Sequence, residues 1–269
     1  MSDAGQPSTK RPGLVPALRK LDALRQHVVF YAGLLLLAIG CLGWLPFAVA
    51  LRVLLPRHVA RTLGRAFIQH AWWTYFRVLS LLGAARFDLS ELATLRGAPP
   101  MILAPNHPTL IDAMLVASRV PRLCCVMKGD IVDNVFLGAS ARLADYIGND
   151  APTGMIKAAV ADLRRGHPLL LFPEGTRTES ATVSPLKAGV GLVAARARVP
   201  VQTLIVEAGS PFLSKGWPIL RKPVLPLTYR VRVGRCFAPP EPNSDAVRGF
   251  VAQLQAYFRD ELSDESPLS

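Results

Sequence analysis

The chain has 269 residues, of which 51% are hydrophobic and 19% are charged, and its mean hydropathy is +0.29. This composition excludes disorder over most of the length, and it is apolar for a freely soluble protein. The net charge of +12 indicates anionic partners, which are nucleic acid, anionic lipid or a phosphorylated substrate. None of the four cysteines falls in a C-x-x-C spacing, so neither a disulfide framework nor a zinc knuckle is indicated.

The amino-terminal region combines a polar tail with a long apolar run. Residues 1–13 are polar and rich in Pro and Gly, which predicts a disordered tail. Val28 to Leu51 carries no charge, and its 24 positions can cross a hydrocarbon core of about 30 Å. Three structures remain open: a spanning helix, a signal peptide cleaved near Ala48-Val49-Ala50, or a helix that enters one leaflet and turns back at residues 40–46.

Charge favours the re-entrant hairpin among these three. Residues 23–87 contain seven arginines and no Asp or Glu, and basic residues flank the apolar run on both sides. A single span would then have no clear orientation, whereas a hairpin keeps both ends cytoplasmic. Arg57, Arg61 and Arg65 share one helical face. They predict a basic amphipathic helix at a lipid surface, with the solvated face of a soluble helix as the alternative.

From about residue 86 the chain alternates short apolar segments with helical patterns. Segments bounded by Pro, Gly or charge predict strands at Met101–Ala104, Leu123–Met127, Leu169–Phe172, Val201–Val206 and Leu227–Val233. Helical patterns occupy Pro108–Arg119, Gly154–Arg165, Lys187–Arg198 and Ser244–Leu262. The alternation predicts an α/β domain at residues 86–269, with a central, mostly buried β-sheet flanked by helices. Residues 14–85 are predicted to form a membrane-associated helical hairpin in front of it.

A histidine and an aspartate follow the first of these strands, in the segment N-H-P-T-L-I-D that ends at Asp112. Five residues apart on one helix, His107 and Asp112 would point about 140° away from each other. They meet only if His107 lies on the turn, which Pro108 favours because it disfavours helical geometry at the preceding residue. An aspartate that orients a histidine makes a general base. A helix-capping histidine beside a surface aspartate is the alternative.

A second polar segment follows the strand at 169–172. Gly175 and Thr176 offer backbone N–H groups, and Arg177 offers a planar fork of donors suited to phosphate. Lys187 and Gly189 stand at the start of the next helical pattern. A charged, glycine-containing turn at the carboxyl end of a strand is where α/β folds build their sites. Without the His–Asp pair, this segment could be an ordinary turn with a surface ion pair.

Together the two segments resemble the glycerolipid acyltransferase family, 1-acylglycerol-3-phosphate acyltransferases among them. The family's first block, N-H-x-x-x-x-D, is matched by Asn106, His107 and Asp112, and its F-P-E-G-T-R block by residues 172–177 without a change. Lys187 and Gly189 match its K-x-G step. Lys128 and Gly138 fit the looser second block. The resemblance covers roughly residues 86–235, and the order and spacing of the two main blocks make it specific.

Three departures from the family pattern leave the acceptor open. Thr109 stands where the family often has serine, which keeps the hydroxyl. Gly148-Asn149-Asp150 replaces an arginine-bearing segment, and Gln202 replaces the second proline of a later block.

The resemblance implies a fold, a reaction and a set of roles. The expected enzyme is a membrane-associated O-acyltransferase that moves a fatty acyl group from acyl-CoA or acyl-carrier protein to a lysophospholipid hydroxyl. The default acceptor is 1-acylglycerol 3-phosphate. His107 would take the hydroxyl proton and Asp112 would orient it. Backbone N–H groups of residues 174–176 would stabilise the oxyanion. Arg177, with Lys128 or Lys187, would bind the acceptor phosphate, and Glu174 would hold the acceptor or brace Arg177.

The remaining expectations follow from the same resemblance. We expect no cofactor and no metal, membrane lipids and the acyl donor as partners, no nucleic acid, and a location at the cytoplasmic face of the inner membrane. Glycerol 3-phosphate or a specialised lipid is the alternative acceptor. A non-catalytic lipid-binding protein on the same scaffold is the alternative function.

Overall fold

The computed structural model describes residues 14–178 and 183–263, and the side chains of all of these except 14–18 and 135–137. The tail predicted at residues 1–13 lies outside the described residues. The described chain forms one seven-stranded sheet with helices on both faces. The predicted α/β class with a central buried sheet is therefore confirmed. The boundary predicted at residue 86 between a helical region and the α/β domain stays a prediction.

The sheet is mostly parallel. Its strands are β1 (Ala85–Asp88), β2 (Ile102–Pro105), β3 (Cys124–Met127), β4 (Ile147–Gly148), β5 (Leu169–Leu170), β6 (Val201–Ala208) and β7 (Leu227–Phe237). They lie in the order β1-β7-β6-β2-β5-β3-β4. β2 pairs in parallel with both β5 and β6, and β3 pairs in parallel with β5. The carboxyl ends of these four strands therefore meet at one edge of the sheet, which is where α/β folds place their sites. β7 runs antiparallel to β6.

The helices form two layers. They are α1 (Leu14–Leu54), α2 (Arg57–Leu81), α3 (Asp112–Ala117), α4 (Gly129–Asp133), α5 (Val135–Leu143), α6 (Pro152–Arg164), α7 (Gly189–Ala197) and α8 (Ser244–Ser263), with a 3-10 helix at Glu91–Leu95. Successive strand residues point to opposite faces, so Leu103 packs towards α1, α2 and α3. Its neighbours Ile102 and Ala104 pack towards α6, α7 and α8. This explains why the strands are apolar on both sides.

One predicted helix begins later than expected. The helix predicted from Pro108 begins only at Asp112, and residues 108–111 form a turn. The physical reason is that Asp112 bonds back to the backbone N–H of Thr109, as Asp does at turns and helix starts. The other predicted strands and helices are present, with ends shifted by a few residues.

The predicted re-entrant turn at residues 40–46 is wrong. α1 continues through Pro46 and ends at Leu54, and the chain reverses at Leu55 and Pro56. The helix stays continuous because it packs on both sides of Pro46: the Trp44 ring stacks on Phe67 with centroids 3.4 Å apart, and Ala48 is fully buried. The hairpin therefore consists of α1 and α2. Within α1, residues Arg19–Leu54 are long and apolar enough to cross a membrane.

The prediction of a lipid-facing surface at Arg57, Arg61 and Arg65 is also wrong for Arg61 and Arg65, whose side chains are 14% and 2% exposed. Arg57 and Arg61 pair with Asp145, at 2.8 and 3.8 Å. Arg65 is buried and donates to Asp162 on α6 at 2.9 Å. The sequence shows no acidic residue near these arginines, and their partners come from 80 or more residues later in the chain. The basic face of α2 therefore fastens the hairpin to the sheet domain.

Gly64 marks the closest approach between the hairpin and the sheet domain. A Cβ at Gly64 would lie 2.7 Å from the backbone N of Ala144 and 2.8 Å from the backbone C of Leu143. A Cβ at Gly40 of α1 would meet nothing within 4 Å. Both glycines are helical, so the intrinsic helix preference of Ala favours both substitutions equally.

We predict that Gly64→Ala lowers the free energy of unfolding by about 1–3 kcal/mol, because backbone atoms cannot move aside cheaply. Gly40→Ala should leave it unchanged or raise it by up to about 1 kcal/mol. Urea unfolding in detergent micelles measures both. Equal effects of the two substitutions would contradict the close packing of α2 on residues 143–144.

Candidate active site

His107 and Asp112 form the centre of the site. The His107 Nδ1 lies 2.8 Å from the Asp112 Oδ2. The Asp112 side chain is fully buried, while 16% of the His107 side chain is exposed. The Asp112 carboxylate also accepts from the Thr109 backbone N–H, at 2.9 Å, and from the Thr109 hydroxyl. The predicted meeting of the two residues, with His107 on the turn and not on the helix, is present.

The electrostatics of this pair fix the histidine ring. Burial raises the pKa of Asp112 above its ordinary value, although the contacts with His107 and Thr109 favour the ionised form and oppose that rise. An ionised carboxylate accepts all three of its hydrogen bonds, including one from His107 Nδ1–H. The proton then sits on Nδ1, and Nε2 is left as the free acceptor. The His107 ring stacks on Phe172 with centroids 3.9 Å apart, which fixes its plane.

Asn106 explains why the loop leaves β2 at this point. Its amide Nδ2 donates to the Val206 carbonyl at 3.0 Å, and its Oδ1 accepts from the Val206 N–H at 2.7 Å. The side chain thus replaces a strand pair with β6 and frees the backbone to turn. It is buried, so both of its polar groups need these partners. The asparagine of the N-H-x-x-x-x-D segment therefore has a structural role beside the histidine.

Glu174 has a different role from the one predicted. Its Oε1 accepts from the His107 backbone N–H at 3.1 Å and from the Thr178 hydroxyl at 2.8 Å. Its Oε2 accepts from the Ser184 N–H at 2.9 Å, and the residue is buried. The prediction that Glu174 braces Arg177 or holds the acceptor does not fit these contacts. Its carboxylate instead joins the His107 loop to the loop at residues 172–178.

Arg177 lies next to the histidine loop. Its Nη1 donates to the carbonyls of Leu213 and Ser214, both at 3.1 Å. The Leu213 carbonyl also accepts from the Leu110 N–H at 3.1 Å. The next residue, Thr178, donates its N–H to the His107 carbonyl at 2.8 Å. His107 and Arg177 are therefore carried by loops that bond directly to each other at one edge of the sheet.

Gly175, Thr176 and Lys187 complete this loop. Gly175 has a φ of +69°, and a Cβ there would lie 2.7 Å from the Lys187 Nζ. The positive φ favours glycine at this position, and a larger residue would also have to displace the end of the lysine side chain. The Gly175 N–H donates to the Phe172 carbonyl. The prediction that it serves as an oxyanion donor is therefore wrong. The Lys187 N–H donates to the Pro173 carbonyl, which brings this lysine over the loop, and its part in phosphate binding stays a prediction.

Lys128 lies at the carboxyl end of β3, where it precedes α4 and is exposed. β3 borders β5, so Lys128 lies at the same edge of the sheet as the other site residues. Its part in binding stays a prediction. Among residues 14–178 and 183–263, no group of three or more His, Cys, Asp or Glu side chains could hold a metal ion. The expectation that no cofactor is needed stays a prediction as well.

Three contributions to the site were missed from the sequence. The Thr109 hydroxyl bonds to Asp112, and its position three residues before an aspartate was the available signal. The Phe172 ring stacks on the His107 ring. The Tyr229 hydroxyl, on β7, is buried close enough to Asp112 to feel its charge, and it has no hydrogen-bond partner among the described residues. Burial raises the pKa of Tyr229, and the Asp112 charge raises it further. Phe172 stands in the F-P-E-G-T-R block, but its stacking on His107 could not be predicted, and Tyr229 cannot be assigned to the site without knowing the sheet order.

Comparisons with known proteins agree with this geometry. An acyltransferase family model matches residues 86–207. The 1-acyl-sn-glycerol-3-phosphate acyltransferase beta of Homo sapiens is 28% identical over 203 residues, which are 71% of this chain and 70% of that protein. The alpha protein of Mus musculus is 25% identical over 56% of this chain and 53% of that protein. The 1-acyl-sn-glycerol-3-phosphate acyltransferase of Pseudomonas aeruginosa is 22% identical over 90% of this chain and 91% of that protein.

A solved structure has the same fold. The crystal structure of the 1-acyl-sn-glycerophosphate acyltransferase PlsC from Thermotoga maritima superposes with a TM-score of 0.66 at 18% identity, covering 92% of this chain and 99% of that chain. The His–Asp pair, the matched domain and this fold define an acyltransferase enzyme. The predicted resemblance to the glycerolipid acyltransferases, of the 1-acylglycerol-3-phosphate type, is thereby confirmed.

Proposed function

We propose that the protein transfers a fatty acyl group from acyl-CoA or acyl-carrier protein to the free hydroxyl of a lysophospholipid at a membrane surface. The proposed acceptor is 1-acylglycerol 3-phosphate, and the product is then phosphatidate. The observation that carries the proposal is the His107 imidazole, which Asp112 holds at 2.8 Å beside the loop of Arg177. The names of the curated relatives support the choice of acceptor.

The proposed reaction is direct transfer with His107 as the base. Its Nε2 takes the proton from the acceptor hydroxyl while the oxygen forms a bond to the thioester carbonyl carbon. Asp112 stabilises the imidazolium that results. When the tetrahedral intermediate collapses, the carbon–sulfur bond breaks and the imidazolium returns its proton to the thiolate. The products are an ester and a free thiol, and His107 ends in its starting state.

Backbone N–H groups beside His107 suit the developing oxyanion. The Gly175 N–H is engaged with the Phe172 carbonyl, whereas no bond from the Glu174 or Thr176 N–H to another described residue is present. Both flank a glycine with positive φ, a backbone geometry that turns successive N–H groups towards a common anion. These two donors are fixed before the reaction begins, so their stabilisation of charge costs little reorganisation.

Arg177 suits the phosphate of the acceptor. Its Nη1 is engaged with the Leu213 and Ser214 carbonyls. The remaining N–H groups, on Nε and Nη2, form one edge of the planar fork that binds phosphate oxygens in pairs. The two carbonyl contacts hold the side chain in place and orient that edge. Lys187, whose chain crosses Gly175, adds a second positive charge to the same loop.

One face of α1 suits a lipid surface. It exposes large apolar side chains at a spacing of three or four residues, the repeat of one helical face: Leu21, Leu24, Val28, Tyr31, Leu35, Ile39 and Leu42, continued by Val49 and Val53. The opposite face is held against the rest of the protein at Phe30 and at Ala48. Because the helix is packed against the domain at two places 18 residues apart, Phe30 and Ala48, we infer that α1 lies in the plane of the interface and does not leave the domain to span.

The test of the proposed reaction follows thiol release from acyl-CoA, and in parallel from acyl-carrier protein, in the presence of 1-acylglycerol 3-phosphate. We predict that His107→Ala lowers kcat by about 100- to 10,000-fold, the usual contribution of a general base. Asp112→Asn should also lower it by at least about 100-fold, because an amide can stabilise the tautomer in which Nε2 carries the proton. His58→Ala, at an exposed position of α2, is the control.

Thiol release by the unsubstituted protein must depend on the acceptor and must yield phosphatidate by mass spectrometry. Retention of activity by His107→Ala, with His58→Ala equally active, would contradict the base mechanism. Tight binding of the acceptor without turnover of either donor would instead support a lipid-binding protein.

The phosphate contact has its own test. We predict that Arg177→Lys raises KM for 1-acylglycerol 3-phosphate by roughly 10- to 100-fold, the value of one or two hydrogen bonds to a charged group. With a 1-acylglycerol acceptor that lacks phosphate, KM should be unchanged. Arg196→Lys is the matched control, because Arg196 is exposed at the carboxyl end of α7, away from the site edge. An equal rise in KM for both acceptors would contradict phosphate binding by Arg177.

A further inference from the structure

Exposed apolar side chains occur at a second place besides the hairpin. Among the described residues after position 82, the large hydrophobic side chains that are exposed are Ile219, Leu220 and Val224, at 56%, 70% and 82%. All three belong to the connection between β6 and β7. We call residues 217–224 the 217–224 loop. Three such side chains within six residues make a concentrated patch, in contrast to apolar residues scattered singly over a surface.

The 217–224 loop is built to hold its apolar tip outward. The Trp217 Nε1 donates to the Arg221 carbonyl at 3.0 Å, and the Arg221 N–H donates to the Pro218 carbonyl at 2.9 Å. The Arg221 guanidinium lies over the Trp217 ring, 4.8 Å from its centroid. These contacts close the turn around Ile219 and Leu220, which are left at its apex. The exposure of the two residues is therefore a property of a defined turn.

The loop is attached to the first part of α1. The Tyr31 hydroxyl donates to the Leu220 carbonyl at 3.2 Å, and the Lys222 Nζ donates to the Gln26 Oε1 at 3.1 Å. Gln26 and Tyr31 lie on either side of Val28, where the charge-free run of α1 begins. The apolar tip thus lies at the boundary between the polar and apolar parts of α1, beside the exposed stripe that includes Tyr31. The two apolar surfaces are continuous.

The charge around the tip matches an anionic surface. Residues 208–229 contain no Asp or Glu, and Arg221 and Lys222 directly follow Leu220. Trp217 stands on the other side of the tip. A tryptophan and basic residues around an apolar apex are typical of segments at the level of lipid headgroups. We favour a lipid surface over a protein partner because the exposed apolar side chains continue from the loop along α1, an extended surface that suits a membrane.

We propose that the 217–224 loop is a second membrane contact, which inserts Ile219, Leu220 and Val224 into the same anionic leaflet that receives the exposed face of α1. This rests on the membrane association given under the proposed function. The loop also belongs to the segment whose Leu213 and Ser214 carbonyls hold Arg177. Four residues separate Ser214, whose carbonyl holds Arg177, from Ile219 at the lipid contact. This brings the acceptor headgroup to the site while its acyl chain stays in the leaflet.

The test places an environment-sensitive fluorophore on single cysteines of the full chain, in a Cys41→Ala and Cys236→Ser background. Leu220→Cys reports the loop, and Leu42→Cys reports the exposed face of α1. The native Cys236, labelled in the Cys41→Ala protein, is the matched control. It is exposed on β7 and pairs with Gln202 at the start of β6, so it lies at the sheet edge opposite the site. Buried Cys124 and Cys125 stay in place. Vesicles of phosphatidylcholine and phosphatidylglycerol are added, with or without spin-labelled acyl chains.

The proposal expects a blue shift and acyl-chain quenching for the labels at 220 and 42, and neither for the label at 236. A label at 220 that stays in water while the label at 42 is quenched would overturn it and leave the membrane association of α1 intact. If neither label is quenched, membrane association itself is wrong and the loop proposal fails with it. A blue shift at 220 that depends on protein concentration, without vesicles, would mean self-association and would also overturn it.

Discussion

The buried carboxylate of Asp112 is the group on which the rest of the site depends. A charge in this position is costly unless it is hydrogen-bonded, and the chain supplies three donors: the His107 ring, the Thr109 N–H and the Thr109 hydroxyl. The same contacts that make the charge tolerable define the plane and the tautomer of His107. Burial raises the pKa of the Asp112 carboxyl, and the hydrogen bonds from His107 and Thr109 oppose that rise.

The parallel sheet brings the partners of this pair together. β2 carries the His107 loop, and its neighbour β5 carries the loop with Glu174 and Arg177. β6, on the other side of β2, leads into the segment whose Leu213 carbonyl accepts from Leu110 and Arg177. Each loop supplies hydrogen bonds that another loop needs, so the site edge is a mutually supported network. Such networks are sensitive to the removal of one member.

The sequence predicted those features that depend on residues close together in the chain. Strand–helix alternation indicated the α/β class, and Pro108 indicated that His107 lies on a turn. Contacts between distant residues could not be predicted. The arginines of α2 find Asp145 and Asp162 far along the chain. Glu174 accepts from the backbone N–H of His107, which lies 67 residues earlier in the chain. The continuity of α1 through Pro46 follows from packing of its inner face, whereas glycine and proline content predicted a turn there.

The account is tested most directly by the protonation of the His107 ring, read from its nitrogen-15 chemical shifts in selectively labelled protein at neutral pH. It predicts a protonated Nδ1 and an unprotonated Nε2, with the two exchanged in Asp112→Asn. The opposite tautomer in the unsubstituted protein, with the proton on Nε2, would contradict it. His107 could then not accept the proton of a lipid hydroxyl, whatever the positions of the surrounding loops.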